Sequence, residues 1–218
     1  MSIRTIFFDL DDTLYPADSG VWMAIQDRIH IYMRDRLHIP ADQIVPLRKE
    51  LFNTYGTTLR GLQHTREIDT LDYLDYVHDI PLAQFFPPNP GLRTYLQSLP
   101  QRKIIFTNSD RNHARRVLKH LGVEDCFELL IDILDLDPYC KPQEAAFQIA
   151  LRKAGEDQPQ HCALIDDNVN NLATARSLGF YTVWVGAGTP PAECNGQITC
   201  IAELAGITDT WNGYHHRN

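Results

Sequence analysis

The sequence predicts an α/β protein, a doubly wound parallel sheet interrupted after its first strand by an inserted all-α segment. Three observations predict it. Short apolar runs rich in Ile, Val and Phe stand at residues 3–8, 102–106, 162–165 and 181–185, and runs without polar alternation suit parallel strands covered by helices on both faces. Helix-patterned segments ending in glycine separate the later runs, the rhythm of βαβ units. From residue 17 to 87 that rhythm stops, and only helical patterns follow.

The first run, IRTIFF, leads straight into DLDDTL and so into Asp9, Asp11 and Asp12. Gathered charges are costly, and a plain turn needs only Gly, Asn or Pro. Either these acids are solvated turn residues or something cationic sits among them. The insertion opens with VWMAIQDRIHIYMRDRLHI, in which Trp22, Ile25, Ile29, Tyr32 and Met33 form a helix-spaced apolar stripe. QIVPLRKELFNTYG and TLDYLDYVHDI continue the helical pattern, and FFPPNPG at 85–91 reads as the return linker. The expected division is a core of residues 1–16 and 88–218 with a cap of residues 17–87. Pro16–Ser19 and Pro87–Pro90 are its natural hinges.

Strand RKIIF then precedes a helix over 113–122, with Val117, Leu118 and Leu121 on one stripe and Gly122 as the stop. FELLIDI at 127–133 is a fifth strand candidate. A helix over 144–155 carries Ala145, Ile149 and Leu151 inward and ends with basic residues before Gly155. CALI, a helix over 171–179 and YTVWV complete the series. The stretch from Asn212 reads as a frayed tail in which His215 and His216 face solvent.

Composition narrows the function. The 218 residues are 44% hydrophobic and 22% charged, with a formal net charge of −8. That balance argues against a nucleic acid polymer as partner, because phosphate backbones are bound by basic stripes. A phosphorylated small molecule remains compatible, since a bound divalent cation reverses the local field. No apolar stretch reaches membrane-spanning length, and Met1–Arg4 leads into a run too short for a signal peptide. The five cysteines lack zinc spacing and are expected to be reduced thiols in a cytoplasmic protein.

In an open parallel sheet, ligands bind beyond the carboxyl ends of the strands. There this chain carries Asp9, Asp11, Asp12 and Thr13, then Thr107, Asn108, Ser109 and Asp110, then Asp166, Asp167, Asn168 and Asn171. Oxygen ligands without His or Cys among them suit Mg²⁺. Blander roles are expected for some of these. Asp12 reads as a turn or capping residue, Asp110 as the cap of the following helix, and Asp132, Asp135 and Asp137 as a solvated loop. His30, His38, His64 and His78 fall in the insertion, where one could touch substrate, but each taken singly reads as structural.

DLDDTL at 9–14, TNSD at 107–110, CKP at 140–142 and IDDNVNN at 165–171 resemble, in order, the four motifs of the haloacid-dehalogenase-type phosphohydrolase superfamily. The insertion is similar to that superfamily's helical cap. The resemblance implies that Asp9 is a nucleophile forming an aspartyl-phosphate. It implies that Asp11 protonates the leaving oxygen and then deprotonates water. Asp9, Asp167 and the main-chain carbonyl of Asp11 would hold Mg²⁺, with Asp166 acting through a water or from behind. Thr107 and the main-chain N–H of Asn108 would bind phosphoryl oxygens, and Lys141 would balance negative charge. Dehalogenases lack an aspartate at the position of Asp11, so the resemblance implies phosphate chemistry. YGTTLRGL at 55–62, YVHDIPL at 76–82 and residues 107–128 are similar to the pyrimidine 5′-nucleotidase branch. That implies nucleoside monophosphates such as UMP and CMP as substrates, with Thr57, Thr58 and Arg60 as the cap residues facing them. A sugar-phosphate or phosphoglycolate phosphatase is the alternative, and a non-catalytic phosphometabolite-binding regulator a more distant one.

Overall fold

The strands are β1 (Thr5–Phe8), β2 (Arg102–Phe106), β3 (Leu129–Ile131), β4 (Cys162–Asp166), β5 (Tyr181–Val185) and β6 (Gly196–Ile198). In the computed structural model, which describes residues 2–192 and 194–211, they form one sheet in the order β3-β2-β1-β4-β5-β6, every pair parallel. The apolar runs are continuous because both faces are covered. Ile6 and Phe8 of β1 pack into one cluster with Val117 and Leu118, while Phe7 points into the other with Phe147 and Leu172. On that second face Phe7 meets Phe106 and Phe180 edge-on, and Phe106 meets Phe147 at 5.2 Å. Such pairs add about 0.5–1.5 kcal/mol each beyond area burial.

Four helices lie within residues 17–87, after β1: α1 (Val21–Asp35), α2 (Ala41–Tyr55), α3 (Thr58–Thr65) and α4 (Thr70–His78). The remaining helices are α5 (Pro90–Ser98), α6 (Arg111–Leu121), α7 (Glu144–Ala154), α8 (Val169–Ser177) and α9 (Ala205–Trp211). Each starts or stops where local chemistry dictates. Asp69 caps α4 by accepting from the amides of Leu71 and Asp72, and Asp110 caps α6 through Asn112 and His113. Gly122 and Gly155 end α6 and α7 in the left-handed conformation.

The structure corrects four expectations. The buried stripe of α1 begins at Val21 rather than Trp22, which is 39% exposed. The stripe of α7 is Ala146, Phe147, Ala150, Leu151 and Ala154, leaving Ala145 and Ile149 half-buried. Asp132 is no solvated loop residue: it is buried and accepts from the amides of Arg111 and Asp135. Strand β6 was not anticipated, since GQI has no apolar run to announce it. His215 and His216 lie outside the described residues. Among the described residues no helix is long and apolar enough to cross a membrane.

Register places the strand ends. Phe8 of β1 pairs with Ile165 of β4 and with Ile105 of β2. Asp9, Asp166 and Phe106 therefore stand one step further on at the same level, with Asp167 and Thr107 immediately beyond. The winding reverses between β1 and β4, the position at which an open α/β sheet leaves a crevice.

Candidate functional site

Asp9 sits at that crevice. Its amide donates to the Ile165 carbonyl at 2.9 Å, which fixes the turn out of β1. Asp9, Asp166 and Asp167 each offer a carboxylate oxygen within 4.8 Å of the others. Lys141, only 1% exposed, donates to Asp9 Oδ1 at 2.7 Å and to Asp166 Oδ2 at 2.8 Å. Asn171 Nδ2 and the Asn168 amide hold Asp166 from behind. Trp184 Nε1 donates to the main-chain carbonyl of Asp167.

The electrostatics are unbalanced by design of the residue set: three carboxylates face one ammonium. Burial, with Asp166 and Asp167 nearby, raises Asp9 well above the usual carboxylate range despite Lys141. Burial and Asp166 push Asp167 up to about 7. Asp12 also rises to about 7, from burial and then Asp167 and Asp11. It occupies a turn at φ 58, and its buried Oδ1 has no hydrogen-bond partner among the described residues. Lys141 is held firmly charged, because Asp166 and Asp9 outweigh its burial. An all-oxygen donor set with excess negative charge and an unpartnered buried oxygen beside it fits a hard divalent cation.

Asp11 has a different setting. It does not join that three-carboxylate group. Tyr15 Oη donates to its Oδ1 at 2.7 Å, Ser109 Oγ donates to its Oδ2, and His113 Nε2 lies 2.8 Å from Oδ1. Burial alone would raise its pKa, but His113, Ser109 and Tyr15 prevail and hold the carboxyl well below the ordinary range. Thr107 is buried, and its Oγ1 accepts from the Ser109 amide. Asn108 does more than offer an amide. Its side chain exchanges two hydrogen bonds with the main chain of Lys141, each 2.9 Å, and so sets the loop that delivers the ammonium.

A cavity of about 300 Å³ opens above these groups. Its floor is Asp9, Asp11, Thr107, Asn108, Lys141 and Asp167, and its roof comes from the insertion: Trp22, Ile25, Ile29, Phe52, Thr57, Thr58, Leu59, Tyr73, Leu74 and Val77. Thr57 and Thr58 are thus at the cavity. Arg60 is not. Its guanidinium is buried in the loop before Lys141, donating to the carbonyls of Ile133 and Tyr139 and pairing with Asp137. Gly56 follows the same logic. At φ +86 it lies so close to the loop that a Cβ would stand 2.8 Å from Cys140 Sγ. Sequence reading had no means to find Trp22, Phe52 and Tyr73 as cavity residues. It also passed over His113, whose place three residues after the helix cap Asp110 puts it on the inward face of α6.

A family model for haloacid dehalogenase-like hydrolases matches residues 3–179. Phosphate metabolism protein 8 of Saccharomyces cerevisiae is 30% identical over 191 residues, which cover 81% of this chain and 60% of that protein. The chain thus spans about three fifths of the yeast relative's length. Phosphoglycolate phosphatase of Chromobacterium violaceum is 28% identical over 224 residues, covering 95% of this chain and 96% of that one. Among solved structures, the magnesium-bound HAD-hydrolase YfnB of Bacillus subtilis superposes with a TM-score of 0.62 at 18% identity, covering 96% of this chain and all of that one.

Proposed function

The chain belongs to the haloacid dehalogenase-like hydrolase family, and we propose that within it this protein is an Mg²⁺-dependent phosphomonoesterase working through an aspartyl-phosphate. The observation that carries the proposal is the convergence of Asp9, Asp166 and Asp167 around one point, with Lys141 bridging two of them. Residues 1–16 and 88–218 form the catalytic core in this reading, and residues 17–87 the cap. Asp9, Asp167 and the main-chain carbonyl of Asp11 would hold the ion, with Asp166 behind them. The bound cation supplies charge neutralisation for a phosphate dianion that would otherwise be repelled.

The chain's own residues do the rest. Asp9 attacks phosphorus in line. Thr107 and the Asn108 amide take equatorial oxygens, and Lys141 offsets the charge that builds on them. Asp11 gives a proton to the leaving oxygen, then recovers one from the water that opens the acyl phosphate. The carboxylate form favoured by its three partners serves the second step. An arriving phosphate dianion raises its proton affinity for the first.

For the substrate we propose a nucleoside monophosphate, in the manner of a pyrimidine 5′-nucleotidase. The cavity lining supports it. Among the described lining residues Lys141 is the only Lys or Arg, and the roof is mostly aromatic and aliphatic, with Thr57, Thr58 and His78 as its polar members. An uncharged flat base is at home there, whereas the carboxylate of phosphoglycolate would be desolvated without a cation. A panel of phosphomonoesters with and without EDTA tests both levels. UMP or CMP is expected to exceed phosphoglycolate and sugar phosphates in kcat/KM by at least about tenfold, with EDTA silencing all of them. Preference for phosphoglycolate would remove the nucleotidase reading, and hydrolysis in EDTA would remove the metal. The free cysteines accord with the cytoplasm, the compartment we propose.

Metal binding carries a pH signature. Asp167 and Asp12 have pKa values of about 7 in the fold against about 3.9 in an unfolded chain. A raised folded pKa favours the folded state below about pH 4, and that contribution is lost as pH rises through about 7. A cation prefers ionised ligands and so restores what is lost. The increase in Tm on adding millimolar Mg²⁺ is therefore expected to be larger at about pH 8 than at about pH 6. Thermal denaturation at the two pH values measures it, and an equal or reversed increment contradicts the ligand set.

A further inference from the structure

We propose that His113 is a positioning residue that aims the carboxyl group of Asp11, a role that rests on the reading of Asp11 as the acid and base of the reaction. His113 stands in the first turn of α6, three residues after Asp110, and is 1% exposed. Its Nε2 lies 2.8 Å from Asp11 Oδ1, while its Nδ1 has no hydrogen-bond partner among the described residues. The tautomer with the proton on Nε2 is the one that serves an ionised carboxylate, so the ring's one polar engagement is with Asp11.

The ring is itself fixed from two sides. From the core, α6 holds it, capped by Asp110. From the insertion, His78 at the end of α4 stacks on it, with centroids 4.4 Å and planes 20° apart. His78 Nδ1 in turn lies 2.5 Å from Asp110 Oδ2, the carboxylate that caps α6. Burial and the facing His113 ring keep His78 below its ordinary pKa. Tyr15, another donor to Asp11, stacks on Phe86 where the chain returns from the insertion. Asp11 is thus oriented by donors seated at the junction of insertion and core. A ring present only to fill space would need no nitrogen at this point. A general acid, by contrast, works only when held within hydrogen-bond reach of the leaving oxygen.

The test compares an ester that needs a proton on departure with one that does not. Full-length protein with Mg²⁺ is assayed on an alkyl phosphomonoester and on p-nitrophenyl phosphate, whose leaving group departs unaided. His113→Leu is expected to lower kcat/KM, which reports phosphoryl transfer to Asp9 and not the later opening of the acyl phosphate, by about 10²-fold for the alkyl ester and by less than about tenfold for the aryl ester. His113→Gln, which returns an N–H near the place of Nε2, is expected to recover the alkyl ester to within about tenfold of the parent. The ratio of the two rates does not depend on the fraction of folded protein, so partial misfolding cannot imitate the result. Asp11→Asn is run beside them. Equal losses of kcat/KM on both esters in Asp11→Asn overturn the acid assignment and the role of His113 with it. A selective loss there, with a uniform or absent loss in His113→Leu, overturns the role of His113 alone.

Discussion

Asp9→Asn is expected to fold normally and to turn over phosphomonoesters at least about 10⁴-fold more slowly, the scale on which loss of a covalent nucleophile is felt. The substitution is isosteric, so the crevice keeps its shape. It also removes one of the carboxylates whose ionisation burial opposes. Lys141 loses the Asp9 charge but keeps Asp166 at 2.8 Å. Fold and function are therefore separable at this position: Tm should move by a few degrees at most while activity vanishes. Initial rates with Mg²⁺ present, set beside thermal denaturation, give both numbers. Activity within tenfold of the parent would end the nucleophile assignment.

Lys141→Met is expected to lower both activity and stability. The ammonium is almost wholly buried and bonded to two carboxylates, and removing one member of such a group leaves uncompensated charge worth about 3 kcal/mol. For a chain of this size that corresponds to roughly 6–12 °C in Tm. The sign of the pH dependence follows from the acids left behind. Asp9 and Asp167 already lie above their ordinary range, and protonation relieves their repulsion, so the deficit shrinks toward about pH 5 and grows toward about pH 8. Turnover should fall about 10³-fold, because the charge that builds on phosphorus during transfer loses its nearest fixed cation. An unchanged Tm with near-parental rates would mean that Lys141 neutralises nothing of consequence.

The parts of the site that a linear reading reaches are those whose position follows from strand ends. Asp9, Thr107, Asp166 and Asp167 were legible because each follows a continuous apolar run. The register of Phe8 with Ile105 and Ile165 then sets Asp9 and Asp166 level, with Thr107 and Asp167 one step beyond. What pointed elsewhere was decided by tertiary contact. Val21 and Trp22 stand four and three residues before Ile25, so either fits the helical spacing, and which one is buried depends on what packs across α1. The resemblance implies that Arg60 faces the substrate. Its true partners, the carbonyls of Ile133 and Tyr139, are more than seventy residues away. Asp132 lies among acids that read as a solvated loop, yet it stands one step past β3 and is sealed by two amides. Three residues of β6 carry no periodicity at all, and only pairing with β5 makes them a strand.

Tyr15 and Phe86 stack 4.5 Å apart with nearly parallel rings, so the helical segment between them begins and ends at almost the same spot. An excursion that closes on itself this tightly is topologically a bubble. Its length and lining can drift through evolution without reordering a single strand, and the reactive floor beneath it need not change in step. In the proposed function, chemistry and selectivity therefore fall on separate stretches of the chain.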